Sequence, residues 1–177
     1  RTFQKQLIHE IERAKRTHTE MSLMLVDLDH FKKINDNYGH PIGDFVLKEV
    51  AAFLSNSVRN VDYVARYGGE EFAIILPDTT ADEALMMANR MAAEIRKKEM
   101  VEQGITLKVT FSIGIATYPE HAVLKEQLID FADTALYTSK RTGRNQATLF
   151  SQSLKTVAFE EKEHILIQKA EKFLQEQ

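Results

Sequence analysis

Arg66-Tyr67-Gly68-Gly69-Glu70-Glu71-Phe72 sets two adjacent carboxylates behind a diglycine and ahead of an apolar segment. An acidic pair at the mouth of a hairpin can hold a hard cation, or it can be an ordinary tight turn with a solvated rim. A second acidic element bears on the choice: Met21-Ser22-Leu23-Met24-Leu25-Val26 reads as a strand running into Asp27-Leu28-Asp29. On a continuing strand Asp27 and Asp29 point to one face, and Leu28 offers its backbone carbonyl there. Strand ends and hairpin turns often meet at one edge of a sheet, so Asp27 and Glu70 can converge. Two carboxylates and a carbonyl are hard oxygen donors suited to magnesium, which keeps waters and takes substrate phosphates as well. Such a site activates an attacking hydroxyl and neutralises charge on a transferring phosphoryl group. Asp-Leu-Asp alone reads as a strand-end turn or cap; its coincidence with Glu70-Glu71 brings the chemical reading level with that one.

The elements that must position these acids follow from hydrophobic spacing. Phe3, Leu7, Ile11 and Ala14 predict a helix over residues 2 to 18, and the strand spans residues 21 to 28. The polar stretch from Asn35 to Asp44 reads as a shaped loop with short helical turns around it, Gly39 and Gly43 supplying unusual backbone geometries. Leu47, Val50, Ala51 and Leu54 mark a second substantial helix. Val61 to Ala65 and Phe72 to Leu76 form the hairpin strands, ended by Pro77-Asp78-Thr79-Thr80. Ala84, Leu85, Ala88, Met91, Ala92 and Ile95 share one face of a helix from Ala81 to about Lys98. Its methionines Met86, Met87 and Met91 read as packing residues. Leu107, Val109, Phe111, Ile113 and Ile115 alternate with small or polar residues, which predicts a half-buried strand. A helix from about Lys125 to Lys140 and an edge strand from Ala147 to Phe150 complete the order. The hairpin breaks any regular βα alternation, so the expected class is α+β, with an antiparallel or mixed central sheet flanked by helices.

The 177 residues, 44% hydrophobic and 28% charged, fit one globular domain with a sizeable core. No window is apolar enough to span a membrane. The chain opens on Arg1, so it is expected to be a segment of a longer protein. The absence of cysteine excludes disulfides, thiolate metal sites and cysteine nucleophiles. A formal charge of -3 argues against a nucleic-acid partner, while a small phosphorylated ligand held by local cations and a metal ion stays open.

The segment from Asp27 through Asp44, with Gly68-Gly69-Glu70-Glu71-Phe72, resembles the signature of the GGDEF family, the bacterial diguanylate cyclases. The resemblance covers residues 1 to 150, leaving 151 to 177 as a C-terminal helical extension or linker. It implies a fold similar to class III nucleotide cyclases and polymerase palm domains. It also implies condensation of two GTP into cyclic di-GMP and pyrophosphate with magnesium or manganese, across a homodimer. By the same resemblance Asp27, the Leu28 carbonyl and Glu70 are metal ligands, and Glu71 supports metal binding or deprotonation. Gly68 and Gly69 lie under the triphosphate, and Asn35 and Asp44 read guanine. Phe31, Lys32, Lys140 and Arg144 surround the phosphates. Arg59 and Asp62 match an inhibitory site for the product, with Arg90 as its secondary arginine.

Each residue also has a plainer reading. Asn35 could sit in a turn, Asp44 could cap a helix, and His40 could be a satisfied loop histidine. Lys140 to Gly143 could be a basic helix end closed by glycine, and Arg59 and Asp62 a surface ion pair. One departure stands out: the family's usual Asp-x-Leu-Thr-Gly-Leu-x-Asn-Arg segment before the first helix is absent, which is expected to weaken dimerisation and activity. The resemblance further implies an upstream sensory or dimerising module and a cytoplasmic, bacterial domain, and leaves open that the parent protein is anchored in the inner membrane. The alternative is a catalytically silent domain that binds GTP or cyclic di-GMP to regulate a neighbour.

Overall fold

Thirteen elements are present in the computed structural model, which describes residues 2 to 175; Arg1 and the last two residues of the C-terminal extension lie outside them. In chain order they are α1 (Thr2–Thr17), β1 (Met21–Leu28), α2 (Phe31–Tyr38), α3 (His40–Ser57), β2 (Tyr63–Arg66), β3 (Glu71–Pro77) and α4 (Ala81–Ile95). Then follow β4 (Met100–Glu102), β5 (Ile105–Leu107), β6 (Phe111–Tyr118), α5 (Lys125–Arg141), β7 (Gln146–Leu149) and α6 (Gln152–Gln175). Five strands form one sheet in the order β2-β3-β1-β6-β7, antiparallel except for the parallel pair β6 and β7. This is the expected mixed sheet flanked by helices.

β1 is central, and all eight of its residues are buried. Because successive side chains leave a strand on opposite faces, its alternation feeds two cores. Met24, Val26 and Leu28 pack with Val46, Val50 and Leu54 of α3 and Ala88, Met91 and Ile95 of α4. Leu23 and Leu25 pack with Leu7 of α1 and Phe131, Ala132 and Leu136 of α5. A Thr80–Glu83 capping box starts α4: Thr80 Oγ1 accepts from the Glu83 N–H, and Glu83 Oε2 accepts from the Thr80 N–H.

Two expectations need correction. The polar stretch from Asn35 to Asp44 is almost wholly helical: α2 and α3 meet at Gly39, whose φ of 87° is left-handed, and Gly43 lies inside α3. Polarity misled because both helices turn their polar faces outward, where it reports exposure and not irregular backbone. The strand expected through Leu107 to Ala116 is in fact two. Leu107 belongs to a separate ribbon of β4 and β5, and β6 begins at Phe111 with both faces buried. Its small alternates Ser112, Gly114 and Ala116 looked like a solvent face, but they make room for a helix laid close on the sheet.

Candidate active site

The hairpin between β2 and β3 and the end of β1 are joined through backbone. Asp27 is the register partner of Glu71, and the Leu28 N–H donates to the Glu70 carbonyl at 3.2 Å. The turn closes on itself: the N–H groups of Tyr67 and Gly68 both donate to the Glu71 carbonyl, at 2.8 and 3.2 Å. Arg66 clamps it from the side, its Nη2 donating to the Gly69 carbonyl at 2.7 Å and its Nε to the Gly68 carbonyl at 3.2 Å. Asp27 and Glu70 therefore do converge, as the strand-end argument anticipates.

Asp27 and Glu71 leave the sheet on one face, the one covered by α5. There Lys140, in the last turn of α5, places its Nζ 2.6 Å from Asp27 Oδ2. Burial and then the facing Asp27 carboxylate push the Glu71 carboxyl up, with Lys140 pulling the other way. Among the described residues no hydrogen bond or ion pair restrains the Glu70 carboxylate. It is an available ligand, whereas Glu71 is half-buried behind the turn.

Asp27, Leu28, Glu70, Lys140 and Arg144 border a recess of about 200 Å³. Phe31 and Lys32 are shared between this recess and a wider cleft of about 490 Å³, which also takes in Asn35, His40, Asp44 and Gly69. Most of the residues expected for metal, phosphate and base thus line two adjoining depressions that share Phe31, Lys32 and Glu70, while Gly68 and Glu71 line neither. Lys32 is nearly fully exposed and pairs only loosely with Asp36, at 3.9 Å. His40 is exposed on the cleft rim and is not the satisfied loop residue of the plain reading. Asp44 lies within α3, not at its start, so it caps nothing. Of the two turn glycines, only Gly69 lines the cleft, and a Cβ there would meet nothing within 4 Å. A Cβ on Gly68 would come within 3.0 Å of Glu71 Oε2, so that glycine makes room for the acid.

Three roles escaped the sequence. Arg66, in sequence merely the first residue of the acidic run, is the brace of the turn. Gly43 is needed for space and not for backbone freedom: a Cβ there would overlap Asn35 Oδ1 and stand 2.9 Å from Asn35 Cγ. That oxygen is buried without a partner against Gly43, and Asn35 itself lines the cleft. Asp29 does not stand free beside Asp27; it is buried and accepts three hydrogen bonds, from Thr110, Ser112 and Asn145. Those partners are more than eighty residues away in sequence, so no local pattern reveals them. Among the described residues no group of three acidic or imidazole side chains forms a metal cluster; Asp27, Asp29 and Glu70 all line the recess, but the Asp29 oxygens are taken by their three donors.

The residues expected at the product site lie elsewhere. Arg59 Nη2 donates to Asp62 Oδ1 at 2.8 Å, to the Pro77 carbonyl at 2.9 Å and to Thr79 Oγ1 at 2.8 Å. The Arg59 N–H donates to Asp62 Oδ2 at 2.8 Å. Arg90 reaches from α4 to the Ser57 carbonyl at 3.1 Å, two residues before Arg59. Pro77 pairs with Met21, six residues along β1 from Asp27, so this cluster is about 20 Å from the acids. The Arg59 guanidinium ties the α3–β2 connection to the end of β3, a stronger role than a surface ion pair.

The family model described as diguanylate cyclase, GGDEF domain, matches residues 1–146. Diguanylate cyclase A of Treponema denticola is 42% identical over 134 residues, 76% of this chain and 36% of that protein. The solved GGDEF domain of YfiN from Pseudomonas aeruginosa superposes with a TM-score of 0.85 at 34% identity, covering 88% of this chain and 91% of that one. The GGDEF domain of DgcB from Caulobacter crescentus, solved in complex with cyclic di-GMP, gives 0.77 at 32% identity, covering 83% and 87%. The chain spans about a third of the length of the curated relatives it matches. On the match of the family model and the similarity to these relatives, the chain belongs to the GGDEF domain family of diguanylate cyclases.

Proposed function

We propose that this domain condenses two GTP into cyclic di-GMP and two pyrophosphates, one GTP being held by each copy of a homodimer. The observation that carries the reading is the recess of Asp27, Leu28 and Glu70, bordered by Lys140 and Arg144 and opening into the cleft of Asn35 and Asp44. The oxygen donors fit magnesium or manganese, and Lys140 already places a positive charge against Asp27 in the same recess. Asp27, the Leu28 carbonyl and Glu70 would hold the ion, which when bound acidifies the attacking hydroxyl and offsets charge on the α-phosphate.

The protein's own groups do the rest. Lys32, Lys140 and Arg144 draw the triphosphate, Gly69 leaves its path open, and Phe31 walls the junction between recess and cleft. The Asn35 amide donates to guanine N3, and Asp44 accepts from N1–H and the exocyclic amine, a pattern adenine cannot satisfy. The 3′-hydroxyl of one GTP loses its proton to solvent as its oxygen bonds to the α-phosphorus of the other and the bond to the β-phosphate breaks, releasing pyrophosphate; the same exchange in the opposite direction closes the ring and releases the second pyrophosphate. Glu71 acts through Asp27, since it lies behind the turn and not on the recess.

Substituting Gly43→Ala is expected to raise KM for GTP about tenfold, the worth of one good hydrogen bond, because Asn35 must swing away from the base. Alanine in place of glycine favours the helix by about 1 kcal/mol, so the fold should not suffer. Steady-state kinetics beside a thermal melt separates the two.

Product binding at Arg59, Asp62 and Arg90 belongs to the proposal, with the Arg59 guanidinium sharing or exchanging its internal partners. An upstream module in the longer protein would set how two domains meet. No helix among the described residues is long and apolar enough to cross a membrane, and the domain is proposed to work in the cytoplasm, where GTP is. To test the reading, the chain fused to a dimerising helix is incubated with GTP and magnesium and the products are separated. Cyclic di-GMP and pyrophosphate are expected; GTP bound without turnover in the enforced dimer would favour the silent regulatory domain instead.

A further inference from the structure

Asp29 is a buried carboxylate in the wall of the recess that the proposed chemistry leaves unused. Its Oδ2 accepts from the Thr110 hydroxyl at 2.6 Å and the Asn145 N–H at 2.9 Å, and its Oδ1 accepts from the Ser112 hydroxyl at 2.6 Å. All three donors are neutral. They come from the segment leading into β6, from β6 itself, and from the loop between α5 and β7.

That loop has an unusual backbone. Gly143, Arg144 and Asn145 run consecutively at φ of 126°, 63° and 49°, and the last two are not glycine. Such a left-handed run is unfavourable for L-residues and persists only where neighbouring groups hold it. Here the Arg144 N–H donates to the Ser139 carbonyl at 2.9 Å, and the Asn145 N–H reaches Asp29. The side chain presented by the run is Arg144, which lines the recess and has no partner among the described residues. We infer that Asp29 is the positioning residue for Arg144: by fixing Asn145 to β6 it keeps the loop in the conformation that aims the guanidinium at the substrate phosphates. This rests on the reading that the recess takes the triphosphate of GTP.

Removing Asp29 leaves two hydroxyls and an N–H without their acceptor, and the loop is free to relax. Asparagine keeps one acceptor for Thr110 and Asn145, and its amine can donate to Ser112 Oγ, so it should restore the tether. GTP binding in the presence of magnesium, measured by calorimetry, is therefore expected to weaken about tenfold in Asp29→Ala and to recover to within about threefold in Asp29→Asn. In an Arg144→Ala background, Asp29→Ala should add less than about twofold, since a residue acting through another has nothing left to position. Equal losses with and without Arg144, or no rescue by asparagine, would overturn the inference.

Hydrogen exchange on the unaltered chain tests the tether without relying on any variant that might fold poorly. The Asn145 amide is expected to exchange more slowly than a free-peptide amide, and exchange at the free-peptide rate would remove the premise. If the unaltered chain bound no GTP, the functional reading would fall and this inference with it, while the Asn145 rate would still report on the tether alone.

Discussion

Glu70→Ala is expected to cut cyclic di-GMP formation by about a thousandfold or more while leaving the melting temperature unchanged. Removing one preorganised group that stabilises transition-state charge typically costs that order of rate, and here the lost carboxylate is one of only two in the proposed metal site. The fold should be indifferent, because no hydrogen bond or ion pair of the described residues depends on the Glu70 side chain, and such substitutions usually stay within about 0.5 kcal/mol. Its backbone carbonyl, which accepts from Leu28, survives the change. Pyrophosphate release from the enforced dimer is the readout. More than about a tenth of the original rate would remove Glu70 from the chemistry.

Asp27→Ala is the less informative substitution, though it concerns the other ligand. Asp27 is buried, and its loss would leave the Lys140 ammonium unpaired and Glu71 relieved of its neighbour's charge. Stability, local ionisation and ligation would change together. Glu70 alone isolates ligation.

The acids were legible because their geometry is local. A strand ending in Asp27 and a turn carrying Glu70 constrain each other through sheet edges, and alternation alone predicts which way Asp27 points. Asn35 and Asp44 were not legible in that way: with bland readings at hand, only the family resemblance singled them out. Their helical setting was missed because α2 and α3 are polar outside, and Gly39 hides how short their junction is. Gly43, Gly114 and Asp29 were opaque for a different reason. Each is defined by what approaches it in space, and a small side chain gives the same signal whether it faces water or a tightly packed neighbour. Ser112 shows the ambiguity most plainly: it alternates as a polar outer residue, yet it is fully buried and donates to Asp29.

Gly114→Ala should be the most damaging of the glycine-to-alanine changes, lowering stability by about 3 kcal/mol, the upper part of the usual cost of overpacking. For a domain of this size that corresponds to a fall of roughly 6 to 12 °C in melting temperature. An added Cβ would overlap the Leu136 N and the Ala132 carbonyl oxygen of α5 and stand 2.7 Å from Leu136 Cα. Those are backbone atoms of a helix, and none can rotate away. β6 cannot retreat either, because it is paired on both sides, with β1 and with β7. α5 must therefore lift from the sheet, taking with it Lys140 and the ion pair to Asp27. At Gly43 the same substitution meets the end of a side chain, which can swing away at the cost of base recognition. One methyl group is thus expected to spare the fold and weaken binding at Gly43, and to weaken the fold first at Gly114. Thermal melts of the two variants side by side check this, and a shift of less than about 2 °C for Gly114→Ala would show that α5 has more freedom over β6 than its backbone contacts allow.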